Sequence, residues 1–320
     1  MEARESGHES GIEMKPGISL AIATCLFAGV AMRADVLFSE SFDDAELTMR
    51  NWYDGAEFRI IGDSWAGQGC IEYEWLDTDS KASGSSGIRH SIEPTEEVWL
   101  RFYLKLSKGW GWSGRNYHPH LLHFLTTENS KWHGPAASHL TLYVEPQEGR
   151  LRLAATDIQN ENMPHGLTQG PLKGGFNATV YDSPEVLFTD DKWHCIEACF
   201  KLNTLDLQND RPNSDGIVRG WFDRKLVIEH TDVILRSTDF PAMKFNQFLM
   251  TPYFGPGLLP HAQKLWIDEL AVGTKRIGAV PASKKSAGGE TLEQMTRVLQ
   301  MRKEPQFHSV NYGESASGVR

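Results

Sequence analysis

The chain has 320 residues, a formal net charge of −10 and a pI near 5.7. That length holds one large all-β domain or two smaller ones and buries a core without disulfides or metal. The acidic balance excludes the basic face that nucleic acid needs, although a local basic patch can still take an acidic polysaccharide.

Residues 1–34 read as a leader. Ile18 to Ala31 is an apolar run of secretory length, too short to span a bilayer, with Lys15 ahead of it and small residues up to Ala34 behind. The acidic stretch before it does not suit the amino end of a signal, so translation is expected to start at Met14, with cleavage after Ala31 or Ala34. The product is then secreted or periplasmic, with no membrane contact after cleavage; an uncleaved anchor is the alternative. Cys70, Cys195 and Cys199 remain. Cys195 and Cys199 share a face of one strand about 13 Å apart and cannot bridge each other; either could meet Cys70 across strands, but the odd count leaves at least one thiol unpaired, and a buried free cysteine is expected for at least one of them. No Cys/His cluster has zinc spacing.

From Asp35 the pattern is that of strands, predicted at 35–42, 57–61, 70–76, 88–92, 98–106, 120–126, 139–145 and 150–155. Residues 77–87 form a polar loop. Residues 157–179 form a long Gly-rich one, of a length that compact domains usually keep for function. Strands resume at 193–202, 217–230, 245–253 and 264–272. After Pro281 the composition is linker-like, and Thr291 to Lys303 has the spacing of a short helix opened by a Thr291/Gln294 capping box. The expected division is a leader over 1–34, one β domain over 35–280 and a tail over 281–320.

The stretch 193–226 is the most specific. Trp193, Cys195, Glu197 and Cys199 alternate with His194, Ile196, Ala198 and Phe200, and a turn cluster from Asn209 to Gly216 separates them from Val218, Gly220 and Phe222. The motif W-x-C-x-E-x-x-x-K-L-N-T, the polar loop with Asp-Gly, and W-x-D resemble the carboxyl-terminal half of concanavalin A-like jelly rolls. That superfamily includes the alginate- and glucuronan-type polysaccharide lyases. VWLRFYLKLSKGW (98–110), FNQFLMTPYFGPG (245–257) and LWIDELAVGTKRIG (265–278) are similar to a central strand, a groove-crossing late strand and the last strand of the same proteins. The likeness spans roughly 36–279 and implies an all-β antiparallel jelly-roll sandwich. It departs at Arg224, where relatives turn with glycine, and at RNYHPHLLHF, where lyases often carry a glycine-rich turn with lysine.

A jelly roll exposes one sheet face as a groove. On 98–106, Trp99, Arg101, Tyr103 and Lys105 share the face opposite the core residues Val98, Leu100, Phe102, Leu104 and Leu106. Guanidinium and ammonium groups pair with uronate carboxylates, and aromatic faces cover sugar rings. A solvated outer face with ordinary ion pairs fits the same alternation. Trp110, Trp112, Tyr117, His120 and His123 follow closely. His123 lies opposite Leu122 and Phe124, and His139 begins the next strand with Tyr143 on its side. The resemblance implies β-elimination on an acidic glycan, with Arg101 or Arg89 neutralising the carboxylate, His123 or His120 as base and Tyr103 or Tyr253 as acid, and with His139 close by. Lys105, Trp110, Trp112, Tyr117 and Tyr143 would line the substrate. Such a reaction requires no cofactor. The superfamily often holds Ca²⁺ between its first and last strands, which makes Asp43, Asp44 and Asp268 candidate ligands, although turn and surface roles explain them equally well. The carboxylate pattern of a glycoside hydrolase is absent, and Glu197 reads as a buried structural carboxylate. The expected function is recognition of an acidic polysaccharide, with lyase action or, alternatively, as a non-catalytic carbohydrate-binding or cell-surface module. Both depend on the cationic face of 98–106 and the downstream histidines sharing one cleft.

Overall fold

The computed structural model describes residues 36–54, 59–76, 87–112, 120–126, 140–156, 179–238, 240–253, 261–282 and 297–298; for residues 120, 156, 252, 253, 297 and 298 it describes the backbone alone. In chain order the strands are β1 (Val36–Glu40), β2 (Trp52–Tyr53), β3 (Arg59–Ile61), β4 (Cys70–Trp75), β5 (Ile88–Thr95), β6 (Glu97–Leu106), β7 (His120–Thr126), β8 (Thr141–Gln147) and β9 (Arg150–Thr156). They continue as β10 (Thr179–Asp182), β11 (Trp193–Lys201), β12 (Leu205–Asp206), β13 (Arg211–Pro212), β14 (Gly216–Phe222), β15 (Lys225–Val233), β16 (Phe245–Tyr253), β17 (Gln263–Gly273) and β18 (Arg297–Val298). Among the described residues, the sole helical turn is Leu47–Arg50.

Two large antiparallel sheets result. The nine-stranded sheet runs β15-β14-β11-β6-β17-β4-β3-β18, with β1 on β17, and the seven-stranded sheet runs β10-β9-β8-β7-β16-β5-β2. Alternation dictates what lies between them. Leu100, Phe102 and Leu104 of β6 and Ile196, Ala198 and Phe200 of β11 face Leu122 and Phe124 of β7 in one buried cluster. Phe124 and Phe200 meet across the interface with ring centroids 6.2 Å apart. Each of the leucine, isoleucine and phenylalanine side chains contributes about 1.5–3 kcal/mol by leaving water. Gly220 lets the sheets approach closely: a Cβ there would lie 3.1 Å from Leu151 and 3.2 Å from Leu153.

The predicted strand 217–230 is two strands, folded back at Asp223 and Arg224 with φ of 48° and 74°. Asp223 suits this turn, since its carboxylate accepts from Cys195 N and meets His194 Nδ1, each at 2.8 Å. Arg224 has no such compensation for its left-handed backbone. The next crossover is held by Asn203, whose Oδ1 accepts from Leu235 N and Arg236 N at 2.8 Å each. The buried Arg236 guanidinium in turn donates to the carbonyls of Asn203, Met243 and Pro241 and to Glu96.

The outer face of the nine-stranded sheet is closed. A loop, 62–68, and a strap, 274–282, lie across it. Arg276 makes a two-pronged ion pair with the buried Glu197, at 2.7 and 3.0 Å, and stacks on Trp221 at 4.5 Å. Tyr103 donates its hydroxyl to Val280 O at 2.7 Å and accepts from Val280 N at 3.0 Å. Trp65 stacks on Tyr103 with centroids 4.5 Å apart and donates Nε1 to Val280 O. The loop hangs on Asp268, a fully buried carboxylate that accepts from Trp65 N at 2.7 Å and Ala66 N at 3.0 Å, and from Glu269 N at 2.7 Å. Burial pushes Asp268 up to about 7, against the pull of those three N–H groups.

Two expectations change here, and a third is untested. Cys70, Cys195 and Cys199 are all free, because β6 and β17 stand between β4 and β11 and hold Cys70 about three strand spacings from the others, roughly 14 Å. The helix expected over 291–303 is replaced, in its two described residues, by a strand: Arg297 and Val298 pair with Ile60 and Arg59. The leader lies outside the described residues.

Replacing Arg224 with glycine should stabilise the fold by about 0.5–1 kcal/mol in chemical denaturation, by relieving the positive φ; no gain would show that the turn is unstrained. Asp268 binds its proton more tightly folded than unfolded, so its contribution to stability is complete below about pH 4 and is lost as pH rises through about 7. The stability difference between the wild type and Asp268→Asn should therefore shrink from pH 4.5 to 7.5, measured by denaturant titration at each pH. A difference that is flat or growing contradicts it.

Candidate functional site

The candidate residues fall into two groups that the sandwich keeps apart. Arg101, Tyr103 and Lys105 stand on the outer face of the nine-stranded sheet, beneath the strap and loop, and all three are buried. Arg101 pairs with Glu269 at 3.4 Å. Lys105 pairs with Asp63 and lies over the rings of Trp266 and Trp193, at 4.4 and 5.3 Å. Burial raises the Tyr103 phenol above its ordinary range, and both hydrogen-bonding roles of its hydroxyl are taken by Val280. These residues hold segments down; they do not line a groove. Trp110 is part of the hydrophobic core, edge-on to Trp75 at 6.0 Å, and Trp112 packs against that core. Tyr117 and His139 lie outside the described residues.

The face alternation of 98–106 holds, but β6 and β7 belong to opposite sheets. Residues pointing away from the core on one sheet point away from those on the other. The shared cleft expected of Arg101, Tyr103 and the histidines does not form.

The second group gathers on the outer face of the seven-stranded sheet. Cross-strand pairing sets Arg89, Leu249, His123, Tyr143, Ala154 and Val180 in one row. His123 and Tyr143 are 0% and 2% exposed, and their rings meet at 84° with centroids 4.3 Å apart. Arg89 is two strands from His123, about 10 Å, with Leu249 between them, and it pairs with Asp54 at the sheet edge. A second row carries Ser91, Gln247, Leu125 and Thr141. On the other side Glu145 opposes Arg152, which forms a two-pronged pair with Asp182 at 2.7 and 2.9 Å. His120 and Tyr253 are paired neighbours at one end of the seven-stranded sheet, by backbone register. Segments 113–119 and 254–260 attach at that end, and 127–139 and 157–178 attach at the other, marked by Thr126 and Thr156.

Gln247, Glu145 and Arg152 were not foreseen from the sequence. The signal for Glu145 lay in the alternation of 139–145, which puts it two positions beyond Tyr143 on the same side. Gln247 and Arg152 became visible only once their strands were assigned to this sheet.

The proposed calcium ligands have other duties. Asp43 Oδ1 accepts from Gln68 N and, at 3.0 Å, from Gly69 N. Asp44 is held by Glu46 N and Arg50, each at 2.8 Å, and the Glu46 N–H and Arg50 keep its carboxyl below the usual range. Among the described residues no group of three His, Cys, Asp or Glu is arranged to hold a metal. Burial also pushes the Cys195 thiol up to about 11, and raises Cys70 and Cys199 too, so none is a thiolate nucleophile near neutral pH.

No family model matches the sequence, and no curated protein matches it. Solved structures do. The chain is similar to an alginate lyase from Chlorella virus, at 15% identity and a TM-score of 0.55, over 75% of this chain and 100% of that one. It is likewise similar to a marine alginate lyase from Aplysia kurodai, at 14% identity and a TM-score of 0.53, over 76% of this chain and 100% of that one. A glucuronan lyase from the fungus Trichoderma reesei aligns at 16% identity and a TM-score of 0.48, over 70% of this chain and 88% of that one. The chain is thus a jelly-roll β-sandwich of two antiparallel sheets, the fold shared with these two alginate lyases.

Proposed function

We propose that this protein binds an acidic polysaccharide across the outer face of the seven-stranded sheet and cleaves it by β-elimination. The observation that carries this reading is the perpendicular His123–Tyr143 pair at the centre of that face, in one cross-strand row with Arg89. The fold shared with alginate lyases supports the reaction class.

Each step has a group of suitable chemistry. Arg89 meets the uronate carboxylate and stabilises the charge that develops when the C5 proton leaves. Leu249, between Arg89 and His123, is an apolar floor for the sugar ring. His123 takes the C5 proton, and a tyrosine hydroxyl, from Tyr143 or Tyr253, protonates the departing glycosidic oxygen. The C5–H and C4–O bonds break, a C4–C5 double bond forms, and the new chain end is an unsaturated uronate. Export through the segment Ile18 to Ala31 belongs to the same proposal, since a polymeric substrate lies outside the cell.

Alginate, glucuronan or pectate incubated with the protein should yield products absorbing in the ultraviolet. His123→Ala should lower kcat by about 10²-fold or more, and Tyr143→Phe should lower kcat more than it changes KM. Product formation unchanged by His123→Ala rules out the mechanism; binding without product makes the chain a carbohydrate-binding module. Tyr103→Phe, on the opposite face, should leave kcat unchanged and cost about 1–2 kcal/mol of stability by releasing Val280.

A further inference from the structure

We infer that Gln247 is a specificity residue, whose side-chain carbonyl accepts a hydrogen bond from a free ring hydroxyl of the bound uronate. This rests on the proposed polysaccharide site and deepens it.

Gln247 is 7% exposed, and its Oε1 has no hydrogen-bond partner among the described residues. A buried amide oxygen left in this state is costly, and native structures rarely tolerate one without a reason. The position is specific. Gln247 is paired with Leu125, which puts it diagonal to His123 at about 7–8 Å on the same face. The register of β16 shifts between Phe245 and Gln247 against both neighbouring strands. Bulges of this kind re-aim a side chain and are frequent beside active sites. Thr126 Oγ1 and Asn246 Oδ1, at the same irregularity, also lack partners among the described residues.

The chemistry of the missing partner follows from the atom. In the amide orientation of this structure it is the Oε1 carbonyl that lacks a partner, and a carbonyl accepts from a hydroxyl but not from a uronate carboxylate. Sites built around a substrate hydroxyl reject analogues without it strongly, because their polar group is then left unpaired. Gln247 therefore selects polyuronates whose ring hydroxyls are unsubstituted, and disfavours O-acetylated ones. Arg89 and His123 recognise features that both polymers share.

The test compares one alginate before and after chemical O-acetylation, with the wild type, Gln247→Leu and Gln247→Met. The wild type should prefer the unmodified polymer. Both variants should lose about tenfold in kcat/KM on it, and their preference between the two polymers should fall towards unity. Without glycan, their thermal midpoints should equal or exceed that of the wild type, since an unpaired buried acceptor has been removed. Variants that keep the wild-type preference overturn the inference while the lyase reading stands. Variants with a markedly lower midpoint assign Gln247 a structural duty and overturn it too. A wild type that binds without cleaving ends the lyase reading, and the same comparison is then read in binding affinity. One that neither binds nor cleaves overturns both.

Discussion

The two-residue period of the β-strand constrains everything else in this molecule. Each strand of the two large sheets sends alternate side chains into a common core, where Phe102, Phe124, Phe200 and Phe248 pack. The charged and polar side chains that alternate with this core, such as Arg101, Lys105, Arg89 and His123, are thereby assigned to one of two outer faces, separated by two backbone layers and the core between them. Chemistry that needs several groups together must be collected on one face. In this chain the two faces have been put to different ends.

On the nine-stranded sheet, polar side chains are consumed by internal bonds. Glu197, Arg101, Lys105, Tyr103 and Asp268 are buried and engaged with the strap, the loop or the bulge at Glu269. Such networks contribute little net stability compared with an apolar core, yet each is costly to break once buried, since removing one partner strands a desolvated charge. On the seven-stranded sheet the pattern differs. Ion pairs stand towards its margins, Arg89 with Asp54 and Arg152 with Asp182, while its middle carries an imidazole, a phenol and an amide.

Much of the fold was legible, for a physical reason. Strands with one buried face write their alternation into the sequence, as 98–106 and 193–202 do, and Glu197 could be recognised as structural because it shares a strand with core residues. Short pairings such as β2, β12 and β13 leave no periodic trace. Sheet membership was the decisive gap. Consecutive strands are usually neighbours, which made β6 and β7 seem to offer one surface. The real neighbours of β6 are β11 and β17, about a hundred residues or more along the chain. Nothing local in the sequence encodes such long-range pairing, so His123 and Tyr143 could be found while their assumed companions Arg101 and Tyr103 were misplaced. Gln247 was missed because a bulge, invisible to simple alternation, sets its direction.

The strap has a consequence for where the folded unit ends. By its long strands the domain would stop at Gly273, the last residue of β17. Cutting there would remove Arg276 and the Gly278 and Val280 amides, and leave the Glu197 carboxylate sealed in the protein without its counter-charge. An autonomous piece therefore needs the chain at least through Val280, and these residues shield the back of the sheet from water rather than serve as a linker.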